Sequence, residues 1–237
     1  MTDNDRARNH LLAELPNKEY VRLEPYLESV FAEPGDVVAS PGQTLDHAYF
    51  PLSGMVSVVA LFADGLGAEV ATIGNEGMIG LPIFLGADSS PFHLMWQLSG
   101  ETLRIRAEDF LPALSPGTRL ERVMTTYSQA YFVQTAQNAA CNGLHPVHQR
   151  AARWLLATQD RAEGDEFFLT HDFLSFMLGV ARQSVSIAVG ELQESGLISY
   201  HRGHMTILDR PRLEAASCDC YRIVRREFER LLGIGRA

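Results

Sequence analysis

The sequence predicts an α+β chain of two domains: a strand-rich N-terminal half, a long helix, and a C-terminal winged helix-turn-helix. Three observations carry this. Short alternating apolar runs bounded by turn signals fill residues 30–105, a helical stripe follows the break at Pro116-Gly117, and two short amphipathic helices meet at Gly179. At 237 residues the chain exceeds one typical core of about 100–200 residues, so two compact domains fit.

The strand-rich part reads as Asp36 to Ala39, His47 to Pro51, Met55 to Phe62, Glu69 to Ile73 and Leu94 to Arg106. The turns between them are Pro41-Gly42, Ser53-Gly54, Asp64-Gly65 and Ser99-Gly100. Such regular spacing implies a closed or sandwiched antiparallel sheet. Beyond Pro116-Gly117 the period becomes helical. Leu120, Met124, Tyr127, Tyr131 and Gln134 recur at steps of four and three over Arg119 to Cys141, roughly 35 Å of helix before Asn142-Gly143. A stripe this long, with two tyrosines and a glutamine, is expected to form a seam between two subunits, with Leu120, Met124, Tyr127 and Tyr131 as its members. The alternative is a helix packed on its own sheet. A further helix opens at Pro146 and runs to about Asp160, followed by a loop from Arg161 to Glu166.

In the C-terminal segment, Thr170 is placed to cap a first helix with Asp172 in its opening turn, and Leu174 and Leu178 supply its apolar face. Gly179 suits the tight turn. Val185, Ala188 and Leu192 then repeat on a second helix, which completes the packing requirement of a helix-turn-helix. The polar face of the second helix begins Arg182, Gln183, Ser186, the side-chain types that pair with base edges in a major groove. Leu197 to Tyr200 and Met205 to Leu208 read as a wing whose tip carries His201, Arg202 and His204, and these three with Thr170 and Ser184 are the candidate phosphate contacts.

Charge permits this reading. The overall net charge is −9, but residues 1–144 hold 8 Lys/Arg against 17 Asp/Glu, whereas residues 145–237 hold 12 of each and five of the eight histidines. Partial protonation of those histidines near an anion would add positive charge. The polar first ten residues lack the apolar core of a secretory signal, and the Met78 to Leu85 stretch, broken by Gly80 and Pro82, is far shorter than the roughly 20 residues that span a bilayer. No membrane segment and a cytoplasmic location are expected. No nucleophile motif, phosphate loop or zinc spacing marks an enzyme.

With the order strand-rich domain, long helix, helix-turn-helix and wing in place, the chain resembles the Crp/Fnr family of bacterial regulators. The motifs that carry the resemblance are Gly35-Asp-Val-Val, Tyr49-Phe-Pro-Leu-Ser-Gly54, and above all Leu178-Gly-Val-Ala-Arg-Gln-Ser-Val-Ser186 with Leu197-Ile198. The resemblance implies a jelly-roll sensor domain like those that bind cyclic nucleotides (residues 1–118), a dimerisation helix (119–142) and a winged helix-turn-helix domain (143–237). It also implies a homodimer on double-stranded DNA, with RNA polymerase as a further partner that it allows.

Carried over by position, Arg182 and Gln183 match the family's base-contacting pair, while Ile187 replaces a further arginine found in some members, and Ala181 replaces a capping serine. The glutamate and arginine with which cyclic-nucleotide members hold the phosphate are absent from Gly80-Leu81-Pro82 and Ser89 to His93, so cyclic AMP is not the expected effector, which stays unknown. The N-terminal cysteines of iron-sulfur members are also absent, and neither a cofactor nor a metal is expected. Cys218 and Cys220 fall on a helix read from Arg212 to Leu232, where residues two apart do not share a face; they are read as small apolar residues, with a redox or metal-linked sensor including Cys141 as the alternative. A module whose winged helix contacts protein instead of DNA is the competing function, kept open by the acidic charge.

Overall fold

The computed structural model describes residues 3–233. Three short helices open the chain, α1 (Asp3–Arg8), α2 (His10–Ala13) and α3 (Asn17–Leu23). Seven strands come next: β1 (Glu28–Ala32), β2 (Val37–Ala39), β3 (His47–Pro51), β4 (Met55–Leu61), β5 (Gly67–Ile73), β6 (His93–Leu98) and β7 (Gly100–Arg106). They form two sheets, ordered β1-β7-β3 and β2-β6-β4-β5, which is the jelly roll expected. Short helices α4 (Leu81–Phe84) and α5 (Ala107–Phe110) flank the last two strands. Inward residues such as Phe50, Met55, Leu103 and Ile105 are at most 1% exposed, and Phe110 closes edge-on against Phe50 with ring centroids 5.9 Å apart.

The sequence reading missed the N-terminal helices and β1, and it ran β6 and β7 together across Ser99. The N-terminal helices are held by a residue that no pattern singled out. Asn9, fully buried, caps α2 through Leu11 N and Leu12 N, while its amide donates to Pro51 O at 2.9 Å and Gly77 O at 3.0 Å. Asn9→Ala would strand two carbonyls and uncap a helix, so a loss of about 2–4 kcal/mol is expected in denaturant titration.

α6 runs from Arg119 to Leu144, slightly beyond the predicted end. The Glu19 carboxylate accepts from Arg119 N and Leu120 N at its start; burial opposes the charged form, but these two bonds prevail and hold the carboxyl below its ordinary range. The stripe predicted as a seam between subunits is buried within this chain instead. Leu120, Met124 and Tyr127 are 2%, 0% and 1% exposed within this one chain, and the Tyr127 hydroxyl donates to Met78 O at 3.2 Å. Tyr131 is also mostly enclosed, and burial pushes its phenol up to about 12. Periodicity identified a buried stripe; what buries it is the chain's own fold. The face left in solvent is Thr125, Gln129, Phe132, Ala136, Ala139 and Gly143, again at steps of four and three.

The chain divides into two compact units. One surrounds the jelly roll and the first half of α6; the other holds the second half of α6, the residues from there to Arg226, and the tip of the β4–β5 hairpin. The second unit comprises α7 (Val147–Gln159), β8 (Glu166–Phe168), α8 (His171–Leu178), α9 (Arg182–Glu194), β9 (Ile198–His201), β10 (His204–Ile207), α10 (Arg210–Ala216) and the start of α11 (Cys220–Leu232). The wing is a three-stranded antiparallel sheet, β8-β10-β9, because Glu166 to Phe168, where the sequence indicated the close of a loop and no strand, pairs with β10. The single helix read from Arg212 to Leu232 is two helices, since Ser217 is extended (φ −78°, ψ 163°) and ends the first. Among the described residues no single helix is long and apolar enough to cross a membrane.

Candidate nucleic-acid interface

α8 and α9 are joined by the turn that the sequence indicated. The Thr170 hydroxyl accepts from Phe173 N at 3.1 Å, and Gly179 closes α8 in the left-handed conformation (φ 62°) that a side chain would strain. Leu174, Leu178, Val185, Ala188 and Leu192 are all 4% exposed or less, so the two helices meet on their apolar faces. Trp154 of α7 packs edge-on to Phe173 at 6.4 Å between centroids. The buried Arg150 guanidinium donates to Leu178 O, satisfying a carbonyl at the C-terminal end of α8 where a cation is favoured.

This packing turns the opposite face of α9 outward. Arg182, Gln183, Ser186 and Ile187 are exposed on its first two turns, and Ser184 is half-buried. Ala181 stands at the cap without a side-chain bond, so backbone N–H groups at this helix start keep their donor capacity. Arg182 Nε lies 2.9 Å from Asp172 Oδ1, with both side chains well exposed. Such a surface pair is worth about 0–1 kcal/mol, less than the roughly 1–3 kcal/mol of a bidentate arginine–guanine contact, so it orients the guanidinium without retaining it.

Ser186 is less free than its exposure suggests. Its Oγ is 2.9 Å from His171 Nδ1, and the His171 ring stacks on Tyr200 of the wing at 4.5 Å. Burial and the nearby Arg182 charge lower the His171 pKa, with Asp172 opposing. His171 is therefore a neutral strut near pH 7 and adds no positive charge, contrary to the expectation for histidines in this half. A base whose folded pKa is depressed contributes stability above its unfolded value, near 6.5, and loses it as pH falls through the window below that value. Thermal melts should accordingly show lower Tm below about pH 6.5, and His171→Gln should flatten that slope; an unchanged slope would remove His171 as its source.

The wing turns at Arg202 and Gly203, both at positive φ (49° and 87°), the two-residue geometry that suits strand twist. The φ of Gly203 is one that a side chain strains, and a Cβ there would also have to displace the Phe168 ring, 2.5 Å away. Arg202 and His201 are exposed at the tip, and His204 Nδ1 lies 3.0 Å from Glu166 Oε1. Gln193 Oε1 accepts from Tyr200 N at 2.8 Å, fixing the wing to the end of α9. Sequence reasoning found the exposed base-reading types but missed the His171–Ser186–Tyr200 arrangement and the Arg150 cap, which depend on residues distant in sequence.

A model of the cyclic nucleotide-binding domain matches residues 29–115, and a model of the Crp-like helix-turn-helix domain matches residues 149–216. The chain belongs to the Crp/Fnr family of transcriptional regulators. Solved Crp/Fnr structures agree in fold. A crp/fnr-family regulator from Eubacterium rectale superposes with a TM-score of 0.70 at 17% identity, covering 87% of this chain and 96% of its own. FixK2 from Bradyrhizobium japonicum gives 0.69 at 15% identity (81% and 98%), and CLP from Xanthomonas campestris, described as c-di-GMP responsive, gives 0.65 at 18% identity (81% and 99%). No relative of significant sequence similarity is found among curated proteins.

Proposed function

We propose that this Crp/Fnr chain is a homodimeric, sequence-specific DNA-binding regulator. α9 enters the major groove, where Arg182, Gln183 and Ser186 read base edges and Ile187 offers its apolar end to a thymine methyl. Thr170, Ser184, His201, Arg202 and His204 lie against phosphates, which position the protein without reading sequence. The observation that carries this is the start of α9: Arg182, Gln183 and Ser186 are exposed on its first two turns, Arg182 held only by a weak surface ion pair and Ser186 by a hydrogen bond to His171.

The proposed division of roles is a sensor domain (1–118), a dimerisation helix (119–142) and a DNA-binding domain (143–237), with the dimer contact on the Thr125, Gln129, Phe132, Ala136, Ala139 and Gly143 face. Alanine and glycine on that stripe allow two helices to approach closely around Phe132, which is 66% exposed. Selection from random duplexes tests the reading. It should enrich an inverted repeat with half-sites about 10–10.5 base pairs apart; failure to enrich any sequence would favour a winged helix that contacts protein.

Cyclic nucleotides are not the effector. A phosphodiester needs a fixed cation, yet residues 23–103 contain no lysine or arginine. Arg104 and Arg106, within the matched region, are paired with Glu28 at 2.9 Å and with Glu108 and Asp109 at 2.7 and 2.8 Å. Leu81 and Ser90, near the positions where the family resemblance puts its anion-holding residues, are each 6% exposed and bring no charge. Calorimetric titration with micromolar cyclic AMP should give no saturable heat, and a saturable isotherm would contradict this.

A further inference from the structure

Cys141 lies near the end of α6, His145 on the link to α7, and Cys218 and Cys220 flank Asp219 where the chain passes from α10 to α11. On one continuous helix Cys218 and Cys220 would point apart, but the extended Ser217 breaks that helix. The three sulfurs and a ring nitrogen of His145 consequently lie within 4.8 Å of one another. Cys141 Sγ is 3.5 Å from Cys218 Sγ, and Cys220 Sγ is 3.4 Å from His145 Nδ1. The cysteines are free and at most 4% exposed.

These separations suit one small ion. Tetrahedral bonds of about 2.3 Å to sulfur and about 2.05 Å to nitrogen put neighbouring ligand atoms roughly 3.8 Å apart for two sulfurs and roughly 3.5 Å for sulfur and nitrogen. A disulfide would join two of the sulfurs at about 2.05 Å and leave the third thiol and the imidazole unexplained. We propose that Cys141, His145, Cys218 and Cys220 bind a single zinc ion in a closed structural site. Thiolate and imidazole donors favour zinc over magnesium or calcium, and four protein ligands leave no open position for catalysis.

The surroundings supply a second, independent argument. Arg150 and Arg153, 5% and 9% exposed, form no ion pair with a carboxylate among the described residues, and burying two such cations without compensation is costly. Three thiolates and one divalent ion carry a net charge of −1, a sign that suits a unit holding these two buried cations. Gln137 Nε2 donates to Cys220 Sγ at 3.1 Å, and Arg153 is held by Asn138 Oδ1 at 2.8 Å, giving the ligands oriented neighbours. The ion pins the end of α6, the link to α7 and the α10–α11 break together within the second unit.

The test uses full-length protein purified under reducing conditions. One zinc per chain that survives dialysis is expected, and replacement by Co2+ should give the visible absorption of a tetrahedral thiolate site. His145→Gln and Cys218→Ser should each weaken zinc binding by more than about 100-fold, the upper range for loss of an outer partner alone. His145 is only part-buried, so its variant leaves the thiols in place and keeps the test readable if Cys218→Ser does not fold, as circular dichroism would show. Substoichiometric zinc with three freely reactive thiols, a Cys141–Cys218 disulfide, or an iron-sulfur cluster would overturn the proposal. Zinc binding unchanged in both variants would equally overturn it by placing the ion elsewhere.

Discussion

Phe132→Glu is expected to yield a folded monomer that binds a palindromic operator far more weakly. Phe132 stands on the solvent face of α6, 66% exposed, so the substitution removes little packing within the chain. In a symmetric dimer the same stripe meets itself, and the new carboxylate would be buried twice beside its like-charged mate, a cost of several kcal/mol. A monomer presents one recognition helix instead of two linked ones, so affinity for the full site should fall by about 10²–10⁴-fold. Sedimentation reads the mass, and a mobility shift reads the binding. Tyr127→Glu should behave differently: Tyr127 is 1% exposed with its hydroxyl bound to Met78 O, so a charge there should unfold the first unit and abolish its near-ultraviolet circular dichroism. A Phe132→Glu protein that sediments as a dimer would place the interface elsewhere.

Arg182→Ala and Arg202→Ala are expected to differ in kind. Losing a bidentate arginine–guanine contact costs about 1–3 kcal/mol and relaxes preference at one base pair, whereas losing a phosphate contact weakens all sequences alike. Arg182→Ala should thus bind the selected duplex and a version altered at its preferred pair with nearly equal affinity. Arg202→Ala should keep the original discrimination and lower the slope of log affinity against log salt by about 1. Removing Arg182 also frees Asp172 from its partner at 2.9 Å, but that exposed pair is too weak to account for a loss confined to one base pair. Full discrimination by Arg182→Ala at every position would remove this residue from the base-reading set.

The helix-turn-helix was legible because its determinants are local: a capping Thr170, the turn at Gly179, and apolar residues at helical spacing on either side. The side of α6 that we propose for assembly was not, since spacing reveals that Leu120, Met124 and Tyr127 are buried but not by what. Phe132, Ala136 and Ala139 lay on the less conspicuous stripe. β8 escaped notice because three residues beside Gly164 carry too little alternation to announce a strand. The meeting of the cysteines was not legible for one local reason: no glycine or proline marks Ser217, so a continuous helix kept Cys218 and Cys220 apart. Asn9 and His171 act through partners far along the chain, and spacing holds no record of such pairs.

The central claim, that α9 reads DNA sequence, is tested most directly by fluorescence anisotropy of the dimer on its selected duplex and on a scrambled duplex, from 50 to 200 mM salt. The account predicts at least about 10³-fold preference for the selected site, with both affinities falling linearly in log–log form as phosphate contacts release counterions. Equal affinity for the two duplexes, or no binding to either at low salt, would contradict it.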